Sequence, residues 1–219
     1  MSDPAVTVSR FDLRASSYED SVLQRFLFVP VHQTALLVGR RILPQADAVL
    51  DVGCGTGRLL RAARGCYPAA ELVGVDLAGQ MVATAMTVTP SGLGIRYVQA
   101  RAERLPFPDA RFDLVFATMA LRHWADPLVG AAEVARVLRP SGMLVLADVF
   151  GDCPRRHPLL QVVRRRRRLL APPELTAVLA DQHLEVASVE WVPWFGLPDV
   201  QVLGLQPIQR WATPVPSRT

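Results

Sequence analysis

The chain has 219 residues, long enough for one domain with a sizeable core; half of them are hydrophobic and a fifth are charged, as in an ordinary globular protein. All 24 basic residues are arginines, and much of the net charge of +4 sits in the run Arg164–Arg168, so the near-neutral remainder does not call for a nucleic-acid partner. Cys54, Cys66 and Cys153 form no CxxC and no zinc-ligand spacing with histidine. With a polar start that lacks a signal-peptide core, they point to a reducing cytoplasm. No run reaches the roughly 18 apolar residues of a membrane span.

Residues 1–10 read as a loose tail. A helical pattern runs over Ala15–Phe28 with Tyr18, Val22 and Phe26 on one side, and Ser16-Ser17-Tyr18-Glu19 supplies a cap and an early acid. Pro30 is expected to interrupt it, and a second helix follows over Val31–Ile42. These helices, residues 1–44, are a cap packed on the domain or a lid over its ligand cleft, with Tyr18 as a candidate lid or substrate contact. Ala48–Val52 is an apolar run that reads as a buried parallel strand. Gly53, Gly55 and Gly57 follow at every second position, and a helix starts at Leu59.

Strands are expected at Glu71–Asp76, Ile95–Gln99 and Phe112–Ala117. Helices are expected at Leu59–Arg64, Gly79–Met86 and Pro127–Leu138, the last with Leu128, Ala131, Ala132, Ala135 and Val137-Leu138 inward. Pro140-Ser141-Gly142 reads as a turn into a strand over Met143–Val149. Strand and helix alternate to residue 150, which is the α/β signature. Residues 151–171 form an arginine-rich insertion with helical character at Leu159–Leu169. Pro172 opens another helix to about Asp181, with proline accepted in the first turn. Leu184–Val192 and Val200–Leu205 complete seven strands, and residues 172–219 end in a tail.

Strand, glycine turn and helix N-terminus make the first βα unit of a doubly wound sheet, where ligands sit outside the carboxyl ends of the strands. The glycines accept positive φ and let the backbone approach a ligand. Their spacing is G-x-G-x-G rather than the G-x-G-x-x-G of dinucleotide folds. Asp51, two residues before the first glycine, would repel a pyrophosphate but suits an ammonium or sulfonium group. Asp76, at the end of the second strand, suits ribose hydroxyls. S-adenosylmethionine carries a ribose, a carboxylate and a positive centre.

Five segments in order resemble the class I S-adenosylmethionine-dependent methyltransferases, in the small-molecule group that includes ubiquinone and menaquinone methyltransferases. They are Val49–Gly57, Val73–Leu77, Ala102–Phe107, Phe112–Phe116 and Val137–Leu144. The resemblance covers residues 45–150. It implies a Rossmann-like, seven-stranded, mostly parallel sheet with helices on both faces. It implies that Asp51 holds the cofactor's amino group and that Gly53, Cys54, Gly55 and Gly57 line its methionine and ribose. Asp76 would take the ribose hydroxyls and Leu77 the adenine face. Ala102 and Glu103 would stand at the adenine edge, with Thr118 at the end of the fourth strand. Arg101 stands where the family has an acid for the adenine amino group, and arginine has no acceptor. Backbone near Ala102, or Gln99 or Glu103, would have to substitute.

The acceptor end is expected at Thr118–Asp126. His123 is a candidate general base, or a structural histidine bonded to backbone or Asp126. Arg122 is expected to point into solvent, or to pair with an acidic substrate group. No Asn/Asp-Pro-Pro-aromatic follows the fourth strand, which argues against methylation of DNA bases. The expected function is methyl transfer from S-adenosylmethionine to a small organic acceptor, a secondary metabolite or quinone precursor, by a monomer or homodimer that binds no nucleic acid and no metal. The alternative is a cofactor-binding protein of the same fold with a non-methylating reaction or a binding role. The arginine run reads as a solvated helix, then as a site for an anionic substrate or carrier, and last for RNA.

Overall fold

A computed structural model describes residues 22–149, 172–194 and 197–208. Tyr18, the helix start at Ala15, the arginine run and the C-terminal tail lie outside the described residues. The elements are α1 (Val22–Ile42), β1 (Ala48–Val52), α2 (Arg58–Cys66), β2 (Glu71–Asp76), α3 (Gly79–Val88), β3 (Ile95–Gln99), β4 (Phe112–Thr118), α4 (Pro127–Val137), β5 (Leu138–Asp148), α5 (Pro172–Asp181), β6 (Leu184–Trp194) and β7 (Leu197–Pro207). The seven strands make one sheet in the order β3-β2-β1-β4-β5-β7-β6. All neighbouring pairs from β3 to β5 are parallel, and β7 runs antiparallel to both β5 and β6. The sheet is therefore Rossmann-like, seven-stranded and mostly parallel.

Two apolar clusters cover its two faces. Val31, Ala35 and Val38 of α1, Leu59 and Leu60 of α2, and Val82 and Ala85 of α3 pack on Val49, Leu114, Phe116 and Val145. Ala131, Val134 and Val137 of α4 and Leu175 and Leu179 of α5 pack on Ala48, Leu50, Val52, Val115 and Leu144. β1 is central, and all five of its residues are buried. Side chains alternate along a strand, so Asp51 shares the face of Val49, toward the layer of α1, α2 and α3. That puts a carboxylate inside a core otherwise built from apolar groups.

Three expectations are corrected. α1 is one helix and contains Pro30. A proline inside a helix costs about 3 kcal/mol. Val31 and Val38 are buried to 0% and 1% exposure against the sheet, and at roughly 1.5–3 kcal/mol each they outweigh that cost. Leu128 is not inward: it is 41% exposed, and Gly130, Ala131, Val134 and Val137 form the buried face of α4. β5 begins at Leu138, before the expected turn. Leu138 pairs with Phe112 and Met143 with Leu114, so residues 139–142 bulge out opposite Asp113 rather than preceding the strand. Asp113 fixes the bulge by pairing with Arg139 and by accepting the backbone N–H groups of Asp47 and Ala48 at 2.9 Å each.

Candidate functional site

The carboxyl ends of β1, β2 and β4 converge on the glycine loop. Gly53, Gly55 and Gly57 all have positive φ, at 82°, 52° and 78°. Two of these glycines also have no room for a side chain. A Cβ on Gly57 would lie 2.2 Å from the Tyr97 hydroxyl oxygen, and one on Gly53 would lie 2.4 Å from the Ala120 Cβ. The loop is thus wedged between β3 and the exit of β4. It is tied to β2 as well: the N–H groups of Gly53 and Cys54 donate to the Val75 carbonyl at 2.7 and 3.0 Å.

Asp76 completes that tie. Its Oδ2 accepts the Gly55 N–H at 2.8 Å and its Oδ1 accepts the Ala78 N–H at 2.9 Å. The residue is only partly buried. Leu77, also partly buried, follows it; its carbonyl accepts from the Gln99 side chain at 3.0 Å.

Asp51 is 1% exposed, and neither of its carboxylate oxygens has a hydrogen-bond partner among the described residues. Burial first, and the nearby Asp76 charge second, push its pKa up to about 8. A carboxylate kept in this state is unusual, because a buried unpaired charge is expensive. The carboxyl is therefore protonated near pH 7, and a cation beside it would favour its ionised form.

His32 and Arg58 stand on the same side. His32 lies on α1 with its Nδ1 buried and unpartnered among the described residues. Burial, then the Arg58 charge, lower its pKa to about 4, so it is neutral near pH 7. Cys54 turns its thiol into the core beside Gly74, so its backbone, not its side chain, faces the loop's concave side. Burial pushes that thiol well up, and the Asp76 and Asp51 charges add to it.

Ala102 is 7% exposed in the opposite core cluster, within the turn in which Arg104 N–H donates to the Arg101 carbonyl. Glu103 is already committed: its Oε1 accepts the N–H groups of Ala125 and Asp126, and its Oε2 lies 3.6 Å from Arg101. The following loop is stapled to α4 by Arg136, which donates to the carbonyls of Leu105 and Phe107 and pairs with Glu133 and Asp109.

The acceptor end is built differently. Thr118 closes β4 at 7% exposure. Met119 then takes a left-handed conformation with φ 55°, held by its N–H to the Ala147 carbonyl at 2.7 Å. A short 3₁₀ turn over Leu121–His123 follows, with His123 partly buried and its N–H on the Ala120 carbonyl. Asp126 caps α4 through the N–H groups of Leu128 and Val129. Arg122 does not point into solvent. It donates from Nη1 to Asp148 Oδ1 at 2.6 Å, and the two side chains are 16% and 2% exposed. Asp148 was missed in the sequence, although it ends an apolar strand with an acid just as Asp76 does.

A family described as a methyltransferase domain matches residues 50–146. An uncharacterised methyltransferase of Bacillus subtilis is 32% identical over 208 residues, covering 94% of this chain and 74% of that protein. The chain belongs to the class I S-adenosylmethionine-dependent methyltransferase family. A 2-methyl-6-phytyl-1,4-hydroquinone methyltransferase of Synechocystis is 37% identical over 129 residues, 59% of this chain and 40% of that protein. The chain spans 51% and 40% of the first two curated relatives, about half their length. Among solved structures, the complex of the Haloferax volcanii Trm112 methyltransferase activator with its putative methyltransferase aligns with a TM-score of 0.73 at 21% identity, over 90% of this chain and 97% of that one.

The family's cofactor is S-adenosylmethionine, and the residues present fit it. The unpartnered Asp51 carboxylate suits its ammonium or sulfonium. Asp76, an acid partly buried at the end of β2, is the residue type that suits ribose hydroxyls there. The N-terminus of α2, which carries no side-chain cap, suits the methionine carboxylate. No helix among the described residues is long and apolar enough to cross a membrane, and none of their side chains cluster as a metal site.

Proposed function

We propose that the chain transfers a methyl group from S-adenosylmethionine to a small organic acceptor, a quinone precursor or secondary metabolite, in the cytoplasm. The observation that carries this reading is the sealed, unpartnered Asp51 carboxylate beside a glycine loop held by Asp76. The naming of a similar protein as a hydroquinone methyltransferase supports the small acceptor.

When bound, the cofactor supplies an electrophilic methyl group on a positively charged sulfur. The chain's own work is positioning and charge placement. Asp51 would ionise against the cofactor's cation, and Asp76, which holds Gly55 in place, would take the ribose hydroxyls. Leu77 and the Ala102 turn would hold the adenine. Arg101 leaves recognition of the ring to backbone, because Glu103 and Gln99 already serve other partners. His123, on the turn beyond β4, is the candidate base for an acceptor that must lose a proton.

Calorimetry with S-adenosylmethionine and S-adenosylhomocysteine tests the cofactor site, and binding of neither would end the reading. Turnover of radiolabelled cofactor against a metabolite extract then identifies the acceptor. Binding without transfer would leave a cofactor-binding protein of other chemistry. With an acceptor in hand, His123→Ala is expected to lower turnover at least tenfold at unchanged cofactor affinity; unchanged turnover removes His123 from the mechanism.

A further inference from the structure

Arg122 and Asp148 meet at the carboxyl ends of neighbouring parallel strands, β4 and β5, where this kind of sheet receives its ligands. Neither group is fully used. Asp148 Oδ1 takes both the Arg122 Nη1–H at 2.6 Å and the Val149 N–H at 2.8 Å. Its Oδ2 is sealed from solvent and has no hydrogen-bond partner among the described residues. Arg122 makes one further contact, from Nη1 to Met119 Sδ at 3.8 Å. Its Nε and Nη2 donors carry no hydrogen bond among the described residues, although the side chain is only 16% exposed.

A site with one spare acceptor and spare donors selects its ligand by elimination. The pair is neutral overall, so it offers hydrogen bonds rather than net charge. A carboxylate would satisfy Arg122 but face Asp148 Oδ2. An ammonium would satisfy Asp148 but face the guanidinium. A hydroxyl satisfies both, donating its hydrogen to the one and accepting from the other. The Met119 sulfur lies against Arg122 Nη1 and Met119 is 5% exposed, which suits an acceptor that is apolar beyond that group.

We propose that the Arg122–Asp148 pair is the subsite for a hydroxyl group on an otherwise apolar methyl acceptor, a phenol or enol. Asp148 Oδ2 accepts from the hydroxyl and the free edge of Arg122 donates to its oxygen. Asp148 also acts as the positioning residue that fixes Arg122. The inference rests on the methyltransferase reading above, because it assumes a donor bound over the glycine loop.

The test uses the full chain loaded with S-adenosylhomocysteine, whose binding is measured first. Its failure to bind would defeat the methyltransferase reading itself. The probes are 2-naphthol and 2-methoxynaphthalene, which differ only in the hydroxyl hydrogen. 2-Naphthol is expected to bind at least about tenfold more tightly, the size of one hydrogen bond to a charged group. In Asp148→Asn, Oδ1 stays with Arg122 and Val149, so an amide N–H₂ replaces Oδ2 and an acceptor becomes a donor. The preference should then vanish while S-adenosylhomocysteine affinity stays the same. Should that variant not fold, ¹⁵N-labelled native protein gives the second readout: the Arg122 Nε–H resonance shifts with 2-naphthol and not with naphthalene, which has no oxygen to accept from it. Equal binding of the two probes, binding of neither, a preference that survives in Asp148→Asn, or an unmoved Arg122 resonance overturns the proposal.

Discussion

Asp51 and Asp148 are two buried carboxylates at the carboxyl edge of one sheet, each 1% exposed, and they are kept in opposite ways. Asp51 has no hydrogen-bond partner among the described residues, and burial, then the Asp76 charge, raise its pKa to about 8. Asp148 has Arg122 at 2.6 Å. The contrast separates the two halves of the cleft. On the β1–β2 side the carboxyl stands without a hydrogen-bonded partner among the described residues, and burial keeps it protonated to about pH 8. On the β4–β5 side the cation belongs to the protein, and what remains is hydrogen-bonding capacity.

The largest effect should come from breaking the resident pair. Arg122→Ala leaves Asp148 buried and uncompensated, so unfolding in urea should show a loss of about 3–5 kcal/mol. A loss below about 0.5 kcal/mol would mean the pair is solvated and the contrast false. Asp51→Asn should do the reverse. Folded Asp51 holds its proton to about pH 8, whereas an unfolded aspartate loses it near pH 4. The folded state therefore binds the extra proton in between, and Asp51 costs stability increasingly as pH rises across that window. His32 acts oppositely: its folded pKa of about 4 lies below its unfolded value, so its contribution rises with pH up to about 6.5. Between about pH 6.5 and 8 the His32 contribution is complete and the Asp51 contribution is still falling. There the free protein should lose stability with pH, and Asp51→Asn should flatten the slope. The same variant should weaken S-adenosylmethionine binding at least tenfold.

Asp76→Ala sharpens the comparison further. It removes the proposed ribose partner and the anchor of Gly55 together, so cofactor affinity should fall by about 1.5–3 kcal/mol in calorimetry. Unchanged affinity would refute its ribose role. The smallest effect is expected at Arg136, which staples the Leu105–Asp109 loop to α4 but is 31% exposed. Arg136→Ala should cost about 1 kcal/mol of stability and leave the slope between pH 6.5 and 8 untouched. Glu133, hydrogen-bonded to Arg136 and thereby held below the usual carboxylate range, should titrate higher in that variant.

Much of the cofactor half was legible in the chain because its cues are local. β1, β2 and β3 fall where periodicity and β-branched runs place them, at Ala48–Val52, Glu71–Asp76 and Ile95–Gln99. The glycine turn is legible because positive φ demands glycine at particular positions, whatever lies around it. Acids flanking that turn narrow the ligand before any contact is known. Glu103 shows where local reading ends. It sits beside the adenine turn in sequence, yet its carboxylate belongs to Ala125 and Asp126, 22 and 23 residues away.

By itself, then, the sequence determined the α/β alternation, the glycine loop and the two acids that flank it, because each depends on a few consecutive residues. Tertiary structure decided the rest. Pro30 stays inside α1 because the sheet rewards the helix beyond it. Leu128 faces outward because the N-cap at Asp126 sets the rotation of α4. Arg122 turns inward because β5 brings Asp148, 26 residues away, alongside the exit of β4. A partner at that distance leaves no periodic trace in the chain, and only the packing of parallel strands makes the two side chains neighbours.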